Sequence, residues 1–166
     1  MKKILLIIAL LLCTSTITAQ DVIFAYIVDQ DPTTNVRNAP GGKVVTTINN
    51  DGNGYVVTLL KEKNGWWLID ATINAEGDDP HEIQLNGSKT GYWIHNSVIG
   101  FTAIGNGTAI LHSGPSYKSR KLCEYVQLMH PIDVKGKWVK VKTDDGKHTG
   151  WIHRDKICYN PLTTCP

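Results

Sequence analysis

Past its first 19 residues the chain has no apolar run long enough to cross a bilayer, which takes about 20 residues as a helix. No transmembrane segment is expected in the mature protein. Charge of one sign is also missing. With Lys2 and Lys3 set aside, 15 basic residues face 15 acidic ones, a net charge of zero with His neutral. A nucleic-acid partner is therefore not expected, because it needs an unbalanced basic face. Helical periodicity is absent as well: no segment keeps apolar residues at helical spacing, which leaves strands as the building element. Nothing marks one Asp/Glu pair over another for acid–base work. Cysteine is scarce, four in all, and one of these falls within the first 19 residues. No helix N-terminus near Cys123 would lower its thiol pKa, so a Cys–His nucleophile is not expected.

What stands at the start is a processing signal over residues 1–19. Lys2 and Lys3 precede an apolar run from Ile4 to Leu12, and Ile17-Thr18-Ala19 fits a signal-peptidase site. Cleavage after Ala19 predicts a secreted or periplasmic protein. A lipid anchor at Cys13 would want a small residue before it, and Leu12 stands there. The 147 residues that remain suit one ordinary domain or two small ones.

Three cysteines are left for an oxidising compartment. "CYNPLTTC" closes a short loop around Asn160-Pro161, so Cys158–Cys165 is the expected disulfide, with Cys123 to either partner as the alternative.

Short runs rich in Val, Ile, Thr, Tyr and Trp alternate with turn clusters such as Pro40-Gly41-Gly42, Asn64-Gly65 and Asp144-Asp145-Gly146. These pieces occur twice. "TNVRNAPGGKVVTTI", "GYVVTLLKEKNGWWLID" and "TGYWIHNSVI" are followed by "TAILHSGPSYKSRKL", "YVQLMHPIDVKGKWVKVKT" and "TGWIHRDKI". Trp66 aligns with Trp138. From that Trp to the Ile of Ile-His is 28 residues in the first copy and 14 in the second, so the first carries an insertion near 71–89 at a hairpin turn. The chain divides into residues 20–100 and 101–166. Lys/Arg and Asp/Glu number 5 and 10 in the first part and 10 and 5 in the second, net −5 and +5. That asymmetry fits two differing solvated surfaces, attraction between the halves, or a basic second half facing an anionic polymer.

Strand alternation assigns faces. In "KWVKVKT" the lysines must meet water, so Val139 and Val141 belong to the core and Trp138 points outward. The same register buries Trp67 and Ile69 and turns Trp66 outward. Ile94 and Ile152 then enter the core, and Trp93 and Trp151 point away. An outward Trp in both copies is apolar area that a ligand or a neighbouring unit must cover.

Three motifs in order, twice, resemble the bacterial SH3-like (SH3b) domain: "NVRNAP" at 35–40; "GWWLI" at 65–69 and "GKWVKV" at 136–141; "GYWIHNSVI" at 91–99 and "GWIHRDKI" at 150–157. The resemblance covers about 27–99 and 105–158. It implies an all-β chain of two tandem small SH3-like β-barrels after a signal peptide. It also implies a non-enzymatic, cell-wall-binding role: such modules bind peptidoglycan or other extended peptides, often beside an NlpC/P60-type cysteine peptidase, which is not expected within these residues. The turn after Ile-His would border the peptide groove, which makes Trp66 with His95, and Trp138 with His153, candidate groove walls. Both histidines fit equally a purely local role in bonding that turn. Arg37 is a candidate for a ligand carboxylate or a structural arginine. The second copy departs at its opening, where "AILHSGP" lacks Asn-Val-Arg, so no ligand role carries over to that stretch. Tyr55, Tyr92, Tyr117 and Tyr125 fit core or rim alike. His81, with Asp78, Asp79 and Glu82, reads as an acidic surface loop rather than a metal site, and no cofactor is expected. The alternative function is a structural or interaction protein whose aromatic faces are buried between its halves or in an oligomer; a small hydrolase or an inhibitor of a wall-degrading enzyme comes third.

Overall fold

The computed structural model describes residues 22–105, 108–125, 127–160, 162 and 165. The expected leader, its cleavage site and Cys13 lie outside these residues. Regular structure is almost entirely β. No helix among the described residues is long and apolar enough to cross a membrane.

In the first half, β1 (Ile23–Ile27), β2 (Thr33–Arg37), β3 (Val44–Asn49), β4 (Gly54–Lys63), β5 (Trp66–Glu76), β6 (His81–Gln84), β7 (Tyr92–His95) and β8 (Ile99–Gly100) make one antiparallel sheet. Its order is β3-β2-β7-β5-β4-β1-β8, with β6 paired to β5. The second half runs β9 (Thr102–Ala103), β10 (Ala109–His112), β11 (Lys121–Tyr125), β12 (Met129–Lys135), β13 (Trp138–Thr143), β14 (Thr149–His153) and β15 (Ile157–Cys158). Five of these form a sheet in the order β11-β10-β14-β13-β12, and β9 pairs with β15. Strand for strand this repeats β3-β2-β7-β5-β4 and β1-β8. The link from β1 to β4 also has its counterpart, a single bridge between Phe101 and Met129. None of the three sheets closes on itself among the described residues.

The 71–89 segment accounts for the extra length of the first half. β5 continues to Glu76, turns, and returns as β6, pairing Ile73 with Ile83. Its counterpart β13 stops at Thr143 and turns at once into β14.

Alternation sets the core. Trp67, Ile69, Ile73 and Ala75 on β5 and Val139 and Val141 on β13 are buried, as are Ile94 and Ile152. Trp66, Trp138 and Trp151 lie on the other face, partly exposed. Trp93 is a correction: it shares that outer face yet is only 9% exposed. The register seats it between Arg37 of β2 and Leu68 of β5. Gly91 makes room there, since a Cβ would stand 2.5 Å from Leu68 Cδ1, and its φ of +100° suits glycine alone.

One hydrophobic cluster runs through both halves. They join where β12 packs on β8, on β4 and on the 3-10 turn Asn96–Val98. The buried Trp67 indole N–H donates to Pro131 O across this junction, at 2.9 Å. His130 of β12 donates from Nδ1 to Ile99 O at 2.9 Å, with Asn96 O 3.2 Å away, while its Nε2 faces Asp144 Oδ1 at 3.1 Å.

Cys158 and Cys165 form a disulfide, and Cys123 is free. Burial, with a smaller contribution from Asp145, raises the Cys123 thiol above its ordinary value, which makes it a poor nucleophile. A disulfide is the mark of an oxidising, extracytoplasmic compartment.

Candidate functional site

The site is built on the β4–β5 and β12–β13 hairpins. Asn64 and Gly65 take φ of +55° and +82°, the pair of left-handed residues a two-residue hairpin turn with primed geometry requires. In the second half Gly136 supplies φ +56° at the first central position. Each turn places a Trp as the first residue of the returning strand, Trp66 opposite Lys63 and Trp138 opposite Lys135. The phase of the pleat is thereby fixed, and both indoles emerge on the outer face.

The next strand then brings a histidine beside each indole. Trp66 pairs in register with His95, and Trp138 with His153. Ring centroids stand 5.0 Å and 5.2 Å apart, with the rings steeply inclined at 68° and 80°. Both histidines end their strand and cap a 3-10 turn. Ser97 N–H donates to His95 Nδ1 at 3.3 Å, and Asp155 N–H donates to His153 Nδ1 at 3.4 Å. The turn is tied back to the hairpin by Asn96 N–H to Gly65 O at 2.9 Å, and by Arg154 N–H to Lys137 O at 2.8 Å. Local bonding and proximity to the indole are therefore joined in one side chain: Nδ1 holds the turn, while the ring stands beside the Trp. Partial burial lowers the His95 pKa below the ordinary histidine value.

A third residue completes each shelf, and here the two halves differ. Arg37 sits opposite Trp93, and His112 sits opposite Trp151, so the two occupy one register position. Both follow a bulge in their strand. Arg37 holds its guanidinium 5.7 Å over the Trp66 ring and donates from Nη1 to Gly42 O at 2.7 Å. His112 stands edge-on to Trp138 at 5.5 Å and donates from Nδ1 to Ser119 O at 3.1 Å. The longer loop of the second half adds Tyr117, which has no counterpart in the first. It is 61% exposed and lies 4.8 Å from Trp138 and 5.4 Å from His153.

Trp66, His95 and Arg37 thus meet in one half, and Trp138 and His153 in the other. Sequence reasoning missed His112 and left Tyr117 open between core and rim. The signal for His112 was an alignment through proline: "RNAP" and "HSGP" place it under Arg37 even though Asn-Val-Arg is missing. Tyr117 carried no such mark, because the loop holding it exists only once.

His112, Tyr117, Trp138 and His153, with Lys121 and Lys156, line a cavity of about 450 Å³. Ile110 and Ile152 supply apolar wall. A second, more polar cleft of about 290 Å³ lies between β3 and the residues around β6, among them Thr46, Asp51, Tyr55 and Gln84. Several of its polar groups are bonded internally: Asp51 accepts from Asn53 N–H and from Tyr55 Oη, which hold its carboxyl below the ordinary range, and Gln84 bonds Thr72. His81 is turned to Asp79 O at 2.7 Å, and no group of three or more His, Cys, Asp and Glu side chains is placed to hold a metal ion among the described residues.

No family model and no curated protein matches the chain. Among solved structures it is similar to NlpC2 from Trichomonas vaginalis, at 13% identity over 86% of this chain and 50% of that one, with a TM-score of 0.31. NlpC1 from the same organism matches at 13% identity over 93% and 51%, with a TM-score of 0.32. An NlpC/P60 family protein from Bacillus cereus matches at 15% identity over 82% and 56%, with a TM-score of 0.26. The chain spans about half the length of these structures.

Proposed function

We propose that the chain is an exported, non-catalytic binding module made of two tandem SH3-like barrels. It recognises peptidoglycan peptides, or another extended peptide, through its outward aromatic shelf. The observation that carries this reading is the recurrence of the shelf: in both halves a tight hairpin turn, a Trp, a turn-capping His and a third side chain meet at the same register positions on the outer face. A packed core needs no such outward grouping. Partly exposed indoles with one or two polar neighbours suit an extended chain that buries apolar area and is held in register by few hydrogen bonds.

The structural alternative buries both indoles between the halves or in an oligomer, and the structure bears on the first of these. The junction between the halves instead runs through Trp67, His130 and Pro131, while the ring contacts of Trp66 and Trp138 stay within their own halves. This supports the binding reading.

Cosedimentation with purified peptidoglycan sacculi tests it. The chain without its leader is expected to sediment, and the double variant Trp66→Ala/Trp138→Ala to stay in solution. No sedimentation, or no loss in the double variant, overturns the binding role. Release of soluble muropeptides overturns the non-catalytic one.

A further inference from the structure

Resting on that reading, we propose that the two shelves are unequal: the second half takes the ligand, and it selects a peptide end that carries a free carboxylate beside an apolar group.

The first shelf is already occupied. Arg37 covers the Trp66 ring and is held there by its bond to Gly42 O. A ligand stacking on Trp66 would have to displace a guanidinium from an aromatic face it favours. The register position is the same in the second half, yet His112 there meets Trp138 edge-on and forms one wall of a cavity beside it. His112 is short, 4% exposed, and drawn back by its bond to Ser119 O.

Three features of the second shelf define what fits. The His112 ring lines the cavity, and with Nδ1 committed as donor, Nε2 is an acceptor with no hydrogen-bond partner among the described residues. An acceptor on the cavity wall complements a donor from the occupant, such as an amide N–H. Next, Trp138, Tyr117 and Ile152 offer apolar and aromatic surface in a cavity of about 450 Å³, within the range of small-ligand sites. Finally, Lys121 and Lys156 are exposed on the lining, no Asp or Glu lines it, and neither lysine forms an ion pair among the described residues. A carboxylate complements that charge, and the second half as a whole carries the positive balance, 10 Lys/Arg against 5 Asp/Glu.

The same geometry excludes a cationic ligand. Rings gathered around an ammonium leave a gap between them. Here Tyr117, His112 and His153 touch Trp138 directly, at centroid distances of 4.8, 5.5 and 5.2 Å, and the two lysines repel positive charge.

Soluble muropeptides prepared from sacculi serve as the probe, once with free carboxyls and once with the carboxyls converted to methylamides. Calorimetry reads affinity and stoichiometry. The expected result is one ligand per chain, with the free acid bound about tenfold more tightly than the amide. The exposed double variant Lys121→Gln/Lys156→Gln is expected to lose that tenfold preference, and Tyr117→Ala to weaken both forms. Equal binding of acid and amide, or two ligands per chain, overturns this proposal and leaves the binding-module reading in place. Failure of the parent chain to bind either form overturns both.

Discussion

The indole N–H of Trp67, in the first half, donates to the carbonyl of Pro131, in the second, at 2.9 Å and out of reach of water. A neighbouring residue in the same strand, Trp66, takes the opposite face and carries the shelf. One dipeptide thus divides its labour by pleat: Trp67 joins the halves and Trp66 meets the outside. Trp67→Phe keeps most of the ring's volume but removes the donor. Pro131 O is then buried without a partner, at a cost of about 1–3 kcal/mol. The check is a lower urea midpoint with unchanged slope, one cooperative transition being kept.

Gly100 governs the approach of the second half to the end of the first. A Cβ there would stand 3.0 Å from Met129 O and 2.6 Å from Leu128 Cδ1. Leu128 can swing aside, but the Met129 carbonyl cannot, because Met129 and Phe101 exchange backbone hydrogen bonds at 2.9 and 3.1 Å. Gly100→Ala is expected to cost about 1–3 kcal/mol. Hydrogen exchange should rise first at the amides of Phe101 and Met129, and the amides of β13 and β14 should change less.

Much of this arrangement was legible in the residues, and the part that was not has a physical cause. Alternation read one strand at a time placed Val139, Val141, Trp67, Ile69, Ile94 and Ile152 inside, because each strand meets the core on a single face. Trp93 shows where that reading ends. Its face was right, but an outward residue on a strand flanked on both sides can still be covered by its neighbours, and only the register reveals Arg37 and Leu68 around it. His112 escaped because chemistry was sought where the motif letters matched, whereas a strand position is conferred by pairing. The junction through Trp67, His130 and Pro131 left no mark at all, since contacts between halves follow no local period. Of the two-barrel expectation the structure shows the all-β part, with a repeated strand order, and no sheet closes among the described residues.

Cys165 and Tyr159 are expected to hold the disulfide-bridged segment against both halves. Gly105 N–H donates to Cys165 O at 2.8 Å, and Tyr159 packs on Phe24 of β1 at 5.0 Å between ring centroids. Cutting the Cys158–Cys165 bond frees the loop in the unfolded chain. Replacing both cysteines with serine should lower stability by about 2–3 kcal/mol. The parent treated with reductant should fall to the same midpoint in a denaturant titration. The free thiol of Cys123, partly buried, should react slowly with a thiol reagent in the folded parent and at an ordinary rate in denaturant.

His95 is expected to make stability depend on pH. Its Nδ1 accepts Ser97 N–H and also lies 2.8 Å from Ser97 Oγ, so the capping ring must be neutral. Burial pushes its pKa below the usual histidine value, while in the unfolded chain it titrates at about 6.5. Above that value both states hold a neutral ring and the cap contributes fully. As pH falls through it, the unfolded chain takes up a proton that the folded chain refuses, and stability drops. The loss levels off once the folded ring is protonated as well. Asn at this position caps through its side-chain oxygen and does not titrate. His95→Asn should therefore fold like the parent at pH 8 yet lose less stability between pH 7 and 5. Parallel curves for the two proteins across that window would show that protonation of His95 plays no part.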